Sequence, residues 1–233
     1  TMTGNSFGFG GNTVVQAGEL FVDGALGGSS LVLQRGTLLG GTGWLNTNVF
    51  VQPGAVFAPG HSVGTIHVLG DLRFEPGATY RVETAAYGSS DLTLVGGQLF
   101  ATGATLEVNA GGTQRYRPIN VYPVFGVNGG VNGTFANVTT NAGYLDPSVQ
   151  YQSGYLGLTL RRNDVDFRSV GTRGNQTAIA SVLNQLVKTA TGALAGVVNN
   201  VYDLPDDRAR SAMSSMTGLM FQHVARNSLD VPR

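Results

Sequence analysis

Up to Leu160 the chain alternates apolar and polar positions in short runs that are separated by glycine. Runs such as Glu19–Val22 and Leu31–Leu33 have the period of two that is typical of strands with one buried face. A Gly-x-apolar unit recurs along this region, beginning at Gly18, Gly36, Gly54, Gly70 and Gly97. The first four units are spaced by 18, 18 and 16 residues, which indicates an internal repeat.

One such unit has an apolar face too narrow to be buried alone, so successive units must stack. The pattern therefore predicts a mainly β chain whose strands form a parallel β-helix, a solenoid, over residues 1–115. An antiparallel sandwich is the alternative, but it requires hairpins and fits the intervals less well. The alternation predicts that the following side chains point inward: Leu20, Val22, Leu31, Leu33, Leu38, Val49, Val51, Val56, Ile66, Val68, Leu72, Phe74, Tyr80, Val82, Leu92, Leu94, Leu99, Leu106 and Val108.

Residues 116–168 have looser spacing and many aromatic side chains. An open last rung of a β-helix would leave backbone N–H and C=O groups unpaired and would expose the core to water. The sequence therefore predicts an aromatic-rich capping region here, in which the charged run Arg161–Asp164 ends the strands. The candidate functional residues of this folding cap are Tyr116, Phe125, Phe135, Tyr144, Leu145, Tyr151 and Leu158.

After a linker at Ser169–Gly174 the apolar residues recur in steps of three and four, which predicts helices in residues 169–233. One apolar stripe runs through Ile179–Val201, where Gly192 and Gly196 are expected to interrupt the helix. Asp203 is the predicted N-cap of a second helix. The apolar face of that helix carries Ala209, Met213, Met216 and Met220. These helices are expected to pack on each other or on the β-helix. Alternatively, they fit inside a water-filled pore that is lined by protein.

Composition argues against several function classes. The formal net charge is zero and only 12% of the residues are charged, so nucleic acid and acidic membranes are not expected as partners. Cysteine is absent, which excludes disulfides and thiolate sites. The three histidines, at positions 61, 67 and 223, do not have metal-ligand spacing, so no metal or other cofactor is predicted. The chain begins in mid-pattern without a signal-peptide pattern and is expected to be part of a longer protein.

One motif has the form of a catalytic site. Gly60-His61-Ser62-Val63-Gly64 matches the G-x-S-x-G elbow of serine hydrolases, in which a strand leads into a helix. Here Thr65–Leu69 continues as a strand, and neither histidine suits a triad with Ser62, because His67 follows the serine by only five residues and His223 lies in the tail. The motif is therefore interpreted as a turn, and no catalytic residue is predicted.

Several blocks of the chain resemble, in the same order, the C-terminal part of bacterial autotransporter passengers, the exported portions of type V secretion proteins. These blocks are Ala58–Thr65, Gly70–Leu72, Pro76–Glu83, Ser90–Gly96, Gly133–Asn141, Leu145–Ser148, Leu158–Asp164, Asn175–Ala180 and Asp207–Val224. The chain departs from the family where Met216–Met220 replaces a segment that often carries an acidic residue, and it stops before any barrel. Asn199-Asn200 is similar to the cleavage pair of one subgroup.

The resemblance implies a right-handed β-helix that ends in an autochaperone region, followed by a linker helix inside a C-terminal outer-membrane barrel. It predicts vectorial folding and surface display of an upstream effector, without catalysis by this segment. The implied partners are the translocator barrel of the same polypeptide, its outer membrane, and a host-surface or matrix ligand. The implied location is the bacterial outer membrane and cell surface, with release into the medium as an option.

Two alternative functions stay open from the sequence. The β-helix could be an adhesin whose outer face binds a host molecule or a glycan. It could also carry an enzyme, either a serine hydrolase built on Ser62 or a polysaccharide lyase, although Arg73 and Arg81 are the only closely spaced cationic candidates for a lyase.

Overall fold

The structure, a computed structural model, describes residues 1–111 and 115–216. The chain forms two compact units. The β unit consists of Thr1–Arg115 and Asn120–Leu160, and the helical unit consists of Tyr116–Ile119 and Arg161–Arg233. The three-part division of the chain made from sequence stays a prediction.

Strands account for most of the β unit. In chain order they are β1 (Asn5–Ser6), β2 (Asn12–Val15), β3 (Glu19–Phe21), β4 (Ala25–Leu33), β5 (Leu38–Gly40), β6 (Trp44–Val51), β7 (Val56–Phe57), β8 (Thr65–Val68), β9 (Leu72–Phe74), β10 (Thr79–Ala85), β11 (Leu92–Val95), β12 (Leu99–Phe100), β13 (Thr105–Gly111), β14 (Ile119–Val127), β15 (Val131–Asn132), β16 (Asn137–Thr140), β17 (Leu145–Gln152) and β18 (Tyr155–Arg162).

These strands form two sheets. In the six-stranded sheet the order is β16-β13-β10-β7-β5-β3, and every neighbouring pair runs parallel. The twelve-stranded sheet has the order β15-β12-β9-β6-β8-β11-β14-β18-β17, and β4 pairs with β1, β2 and β6. Between consecutive strands of the smaller sheet the chain passes through the larger one. The mainly β prediction is confirmed, and this parallel pairing fits a β-helix.

A column of tight turns aligns four rungs of the smaller sheet. Each turn has a left-handed glycine at its third position and a backbone hydrogen bond from its fourth residue to its first, as in a type II turn. The N–H of Gly36 donates to the C=O of Gly54 at 3.0 Å, and the same bond joins Gly54 to Gly77 and Gly77 to Gly103, both at 2.9 Å. Gly70, which the sequence repeat placed in this series, instead precedes β9 of the larger sheet, because each rung visits both sheets.

Most of the predicted inward residues form the core of the β unit. Those that are at most 2% exposed are Val22, Leu31, Leu33, Val49, Val51, Ile66, Val68, Leu72, Phe74, Tyr80, Val82, Leu99, Leu106 and Val108. The strands of both sheets contribute to this interior, so the period-two pattern correctly identifies the buried face of most strands.

The predicted face is wrong in β3, β5, β7 and β11, although it is right in the equally short β9 and β12. Leu20, Leu38, Val56 and Leu92 are only half-buried, and Leu94 is exposed. In β5 and β7 the inward residues are Leu39 and Phe57, one position later, because the preceding glycine turn sets the face. In β11 the inward residues are Thr93 and Val95. Thr93 is tolerated there because its hydroxyl lies 3.2 Å from that of Tyr80.

The helical unit contains a 3₁₀ helix (Phe167–Ser169), α1 (Gly174–Thr189), α2 (Gly192–Tyr202) and α3, which is helical over residues 206–216. α1 and α2 are separated by Ala190 and Thr191, immediately before the predicted break at Gly192. Asp203 is the C-cap of α2 and not the predicted N-cap of the next helix, because α3 begins only at residue 206.

The helices of this unit share one apolar core. Its buried members are Ile119, Phe167, Ile179, Ala180, Leu183, Val187, Ala190, Ala195, Val198, Val201, Ala209 and Met213. Val182, Leu194 and Val197, which were predicted to belong to the same stripe, are exposed. The helices therefore pack on each other, one of the options that the sequence leaves open. None of the described helices is long and apolar enough to cross a membrane.

Candidate functional site

Five aromatic rings, here called the aromatic core, meet inside the β unit: Phe57, Phe74, Tyr80, Phe125 and Phe135. The centroids of Tyr80 and Phe125 are 4.3 Å apart, and those of Phe125 and Phe135 are 6.3 Å apart. Phe74 meets Tyr80 and Phe125 edge-on, at interplanar angles of 78° and 81°. Such pairs stabilise by about 0.5–1.5 kcal/mol each beyond the burial of their area. The aromatic core therefore links residues that are far apart in sequence.

The hydroxyl of Tyr80 is a polar group inside this apolar core. It donates to the C=O of Val124 at 3.1 Å and lies 3.2 Å from the hydroxyl oxygen of Thr93. Burial raises the pKa of Tyr80 far above its usual range, so the phenol stays neutral. Through these contacts one side chain of β10 joins β11 and β14.

The predicted cap residues have different environments. Phe125, Phe135, Leu145 and Leu158 are buried in the β unit, and the hydroxyl of the half-buried Tyr151 accepts a hydrogen bond from the Phe135 N–H at 2.9 Å. Tyr144 is 41% exposed. Tyr116 is buried but belongs to the helical unit. Of the predicted cap residues, only Phe125 and Phe135 belong to the aromatic core.

The end of the larger sheet differs from the parallel rungs. β17 and β18 are neighbours in the sheet and are joined by only two residues, Ser153 and Gly154. Parallel strands need a crossover of a dozen or more residues, so β17 and β18 form an antiparallel hairpin. β18 pairs in turn with β14, the strand that carries Phe125.

Asp91 is a buried carboxylate that the sequence analysis missed. Its Oδ1 accepts the Gly64 N–H at 2.8 Å and its Oδ2 accepts the Glu83 N–H at 2.7 Å. Burial raises the pKa of Asp91 to about 7, despite these two donors. Asp91 thus links two segments of the chain, the loop that precedes β8 and the strand β10. Asp91 immediately precedes β11 and is in phase with the buried Thr93 and Val95, whereas the alternation predicts Leu92 and Leu94 as inward, so the sequence pattern gives no signal for it.

The G-x-S-x-G loop is a turn followed by a strand, as predicted, but it holds a contact that the sequence did not reveal. The Nε2 of His61 lies 2.9 Å from both carboxylate oxygens of Asp23, and its ring stacks on Phe21 with centroids 4.8 Å apart. The hydrogen bond from His61 holds the pKa of Asp23 below its usual range. A serine, Ser62, therefore follows directly on a histidine that is paired with a carboxylate. The separation of 38 residues, close to two of the 18-residue intervals, is the signal that could have revealed the pair.

The charged run at the end of β18 is built into the helical unit. Arg161 donates to the C=O groups of Val187 and Ala190 at the C-terminus of α1, at 3.0 and 2.9 Å. The buried side chain of Arg162 binds Asp164 through two hydrogen bonds of 2.8 and 2.5 Å. It also donates to the backbone C=O of Tyr116 and to the hydroxyl of Tyr202. These arginines therefore anchor the helices.

Asn199, the first residue of the Asn-Asn pair, also anchors the helical unit. Its Oδ1 accepts the N–H of Ile119 at 3.1 Å, and its Nδ2 donates to the C=O of the same residue at 2.8 Å. The amide thus replaces the backbone partner that a neighbouring strand would supply. Asn200 beside it is exposed.

The predicted linker-helix residues lie in the core of the helical unit as far as α3 is described. Ala209 and Met213 are buried, and Met216 is partly buried against the same core. Met220 lies outside the described residues. Among the described residues, no cluster of three or more acidic, histidine or cysteine side chains is arranged to hold a metal.

No known protein-family model matches this chain. Two curated proteins from Serratia marcescens, both named extracellular serine protease, are similar to it. One is 29% identical over 187 residues, which cover 77% of this chain and 18% of the relative. The other is 26% identical over 191 residues, which cover 78% of this chain and 18% of the relative. The chain thus spans less than a fifth of the length of these relatives.

These relatives correct one prediction and support another. The prediction that this chain is not an enzyme is contradicted, because both similar proteins are named extracellular serine protease. The same similarity supports an autotransporter-type passenger in a secreted or cell-surface location. The chain is therefore similar to part of an extracellular serine protease, and its parallel strands fit the passenger resemblance.

Proposed function

We propose that this chain is the stalk and autochaperone segment of an autotransporter-type passenger, and that it promotes vectorial folding and surface display of the domain upstream of it. In this proposal the β unit is a right-handed β-helix closed by the predicted cap. The helical tail then leads to the translocator barrel of the same polypeptide in the outer membrane. The protease relatives suggest that the displayed domain is a serine protease.

The observation that best supports this function is the hairpin β17–β18 beside the last parallel rungs. A parallel rung needs a neighbouring rung as its template, because its strands pair only with strands from other turns of the chain. A hairpin pairs within itself and closes a short loop, so it forms early. Once formed, it offers β14 a partner, and the β14 side chain of Phe125 then lies against Tyr80.

The order of folding tests this proposal. The full chain is refolded from denaturant under pulsed hydrogen exchange, and the protection of each strand is followed with time. The expected result is protection of β14, β17 and β18 before protection of β3 and β5. Phe125→Ala should delay protection of both groups, whereas Val121→Ala, an exposed change on the same strand, should not. Protection of β3 and β5 first would contradict the autochaperone role.

We also propose a second candidate function, hydrolysis with Ser62 as nucleophile, because one specific contact favours it. His61 is paired with Asp23 at 2.9 Å and directly precedes the serine. In this mechanism His61 takes the proton of Ser62, and Asp23 orients the imidazole. Turnover of ester and peptide substrates by the full chain should disappear in Ser62→Ala and His61→Ala and persist in Ser89→Ala, a change at an exposed serine. Equal turnover in all variants, or no turnover in the unaltered chain, would exclude this mechanism.

A further inference from the structure

A groove lies on the outer face of the larger sheet, where the sheet meets the column of tight turns. Its volume is about 640 Å³, within the range of about 300–1,000 Å³ that is typical of small-ligand sites. It is lined by Val32, Phe50, Gln52, Pro53, Glu75 and Pro76. This site is here called the Glu75 groove.

Two tight turns of neighbouring rungs form one wall of the groove. In both Gln52–Ala55 and Glu75–Ala78 a proline is second and a left-handed glycine third, and the last N–H donates to the first C=O at 2.9 Å. Proline at this position fixes the backbone angle that a type II turn requires. The N–H of Gly54 also donates to the C=O of Gly77 at 2.9 Å, which holds the two turns together. The wall is therefore formed before any ligand binds.

The register of β4 and β6 provides the apolar side of the groove. Val32 pairs with Phe50, and both point outward because their neighbours Leu33 and Val51 are fully buried. With the two proline rings, four of the six described residues that line the groove are apolar. The polar side chains among them, the carboxylate of Glu75 and the amide of Gln52, come from the first positions of the two turns.

Glu75 is the charged residue of this groove. It is half-buried, and its carboxylate forms no hydrogen bond or ion pair with any residue that the structure describes. The two nearby arginines are directed elsewhere. The guanidinium carbon of Arg73 lies 4.0 Å from the centroid of Phe100 on the next strand, and the side chain of Arg35 lies against Gly54. Neither arginine lines the groove.

This combination of groups selects the charge of a ligand. A hydrocarbon would cover the carboxylate of Glu75 without giving it a hydrogen bond, and a buried charge without a partner is costly. An anion would be repelled. An ammonium group on an apolar chain would pair with the carboxylate, and the amide oxygen of Gln52 would accept a further N–H. The chain would then replace water at the apolar side.

We propose that the Glu75 groove binds a small organic cation, an alkylammonium whose head group pairs with Glu75 and whose chain lies along Val32 and Phe50. The site is independent of the folding role proposed above, because none of its lining residues belongs to the aromatic core. It is also independent of hydrolysis at Ser62, which does not line the groove.

Hexylammonium chloride is the probe that tests this proposal. The full chain is titrated with it by calorimetry up to about 20 mM, and saturable binding is expected in the millimolar range. Hexanol lacks the charge and the ammonium ion lacks the chain, so each should bind about tenfold more weakly or less. Hexanoate, with the opposite charge, should not bind. An increase of the salt concentration from about 0.02 M to about 0.5 M should weaken the binding of hexylammonium.

Variants with matched controls locate the binding. Glu75→Gln keeps the size of the side chain and should weaken hexylammonium about tenfold while leaving hexanol unchanged. Glu107→Gln removes a carboxylate that is paired with Arg81 in the smaller sheet, and it should leave both ligands unchanged. Phe50→Ala should weaken both ligands, whereas Leu94→Ala, elsewhere on the outer face of the larger sheet, should weaken neither. Melting curves of all variants show whether they are folded.

Several results would overturn the proposal. Three of them are no saturable binding of hexylammonium, equal binding by Glu75→Gln and the unaltered chain, and equal or tighter binding of hexanoate. A blocked peptide with one lysine that binds tenfold more tightly than hexylammonium would make a protein side chain the occupant. Self-association that Phe50→Ala abolishes would instead make a second copy the occupant.

Discussion

The two compact units are stabilised by different kinds of contact. The β unit has an apolar interior that every rung extends, and its turn glycines repeat one backbone hydrogen bond from rung to rung. The helical unit has a smaller core in which several members are alanines, such as Ala180 and Ala195. Its segments are tied by polar side chains, chiefly Arg162 and Asn199.

This difference predicts where each unit is most sensitive to substitution. A repeated backbone ladder spreads stability over many equivalent bonds, so the β unit depends most on the side chains that fill its interior. Short helices with a small core gain less from burial, and each polar anchor then represents a larger share of their stability. Substitutions that remove apolar volume should therefore destabilise the β unit most. Substitutions that remove polar anchors should destabilise the helical unit most.

The largest effect is expected from Phe125→Ala. The ring is fully buried and lies 4.3 Å from that of Tyr80, so its loss leaves a cavity in the aromatic core. Such truncations cost about 3–5 kcal/mol. Denaturant unfolding, followed by the fluorescence of Trp44 in the β unit, should show this loss. Val121→Ala, on the same strand but 53% exposed, should change the free energy of unfolding by no more than about 0.5 kcal/mol. Equal losses in the two variants would contradict the importance of the aromatic core.

Arg162→Ala should have the next largest effect, and it should act on the helical unit. The substitution removes a buried side chain that binds Asp164, Tyr116 and Tyr202. Hydrogen bonds of charged groups contribute about 1.5–3 kcal/mol, so a loss of about 2–3 kcal/mol is expected. Far-ultraviolet circular dichroism, which is dominated by helix, measures it. The control is Arg168→Ala, whose side chain is 60% exposed and whose ion pair with Asp166 should contribute little. Similar losses in both arginine variants would indicate that burial of the anchor is unimportant.

The next prediction compares two neighbouring asparagines of α2, Asn199, which anchors Ile119, and Asn200, which is exposed. Loss of the side-chain amide leaves the N–H and C=O of Ile119 without the two bonds of 3.1 and 2.8 Å, which should cost about 1–2 kcal/mol. Asn200→Ala removes the same group from an exposed position next to it and should be close to neutral. The same helical signal measures both variants. If Asn200→Ala proves the more damaging, the anchoring role of Asn199 is wrong.

The sequence predicts the β unit better than the helical unit for a physical reason. Stacked strands repeat their environment, so the alternation alone locates Leu31, Val49 and Leu72 in the core. It fails in β11, where hydrogen bonds allow Thr93 to turn inward and Leu94 outward. It also fails in β5 and β7, where two or three positions are too few to define a face and the glycine turn before the strand decides which residue points inward.

The polar contacts were not predictable from sequence because they join residues that no local pattern connects. Asn199 binds Ile119 across 80 residues, and Arg162 reaches Tyr116 across 46. His61 and Asp23 meet only because their rungs stack, so their pairing depends on a register that the sequence repeat gives approximately. The stripe of α1 and α2 marks Leu183 and Val198 as core, but it also marks the exposed Val182.

The last test concerns the polar groups inside the β unit and uses the pH dependence of stability that Asp91 should cause. Burial raises the pKa of Asp91 from 3.8 to about 7 in the folded chain, so the folded state binds more protons than the unfolded state between these values. The contribution of Asp91 to stability should be fully present below about pH 4 and should be lost as the pH rises through about 7, with a slope of at most ~1.4 kcal/mol per pH unit. Unfolding followed by Trp44 fluorescence across this range measures the slope.

Two variants serve as controls for this pH dependence. Asp91→Asn has no proton to bind and should abolish the slope, whereas Asp71→Asn, at a carboxylate that accepts one backbone N–H at 2.8 Å, should preserve the slope. A slope that survives in Asp91→Asn would assign the titration to another group. Stability that rises with pH in the unaltered chain would show that the N–H groups of Gly64 and Glu83 outweigh the cost of burying the charge.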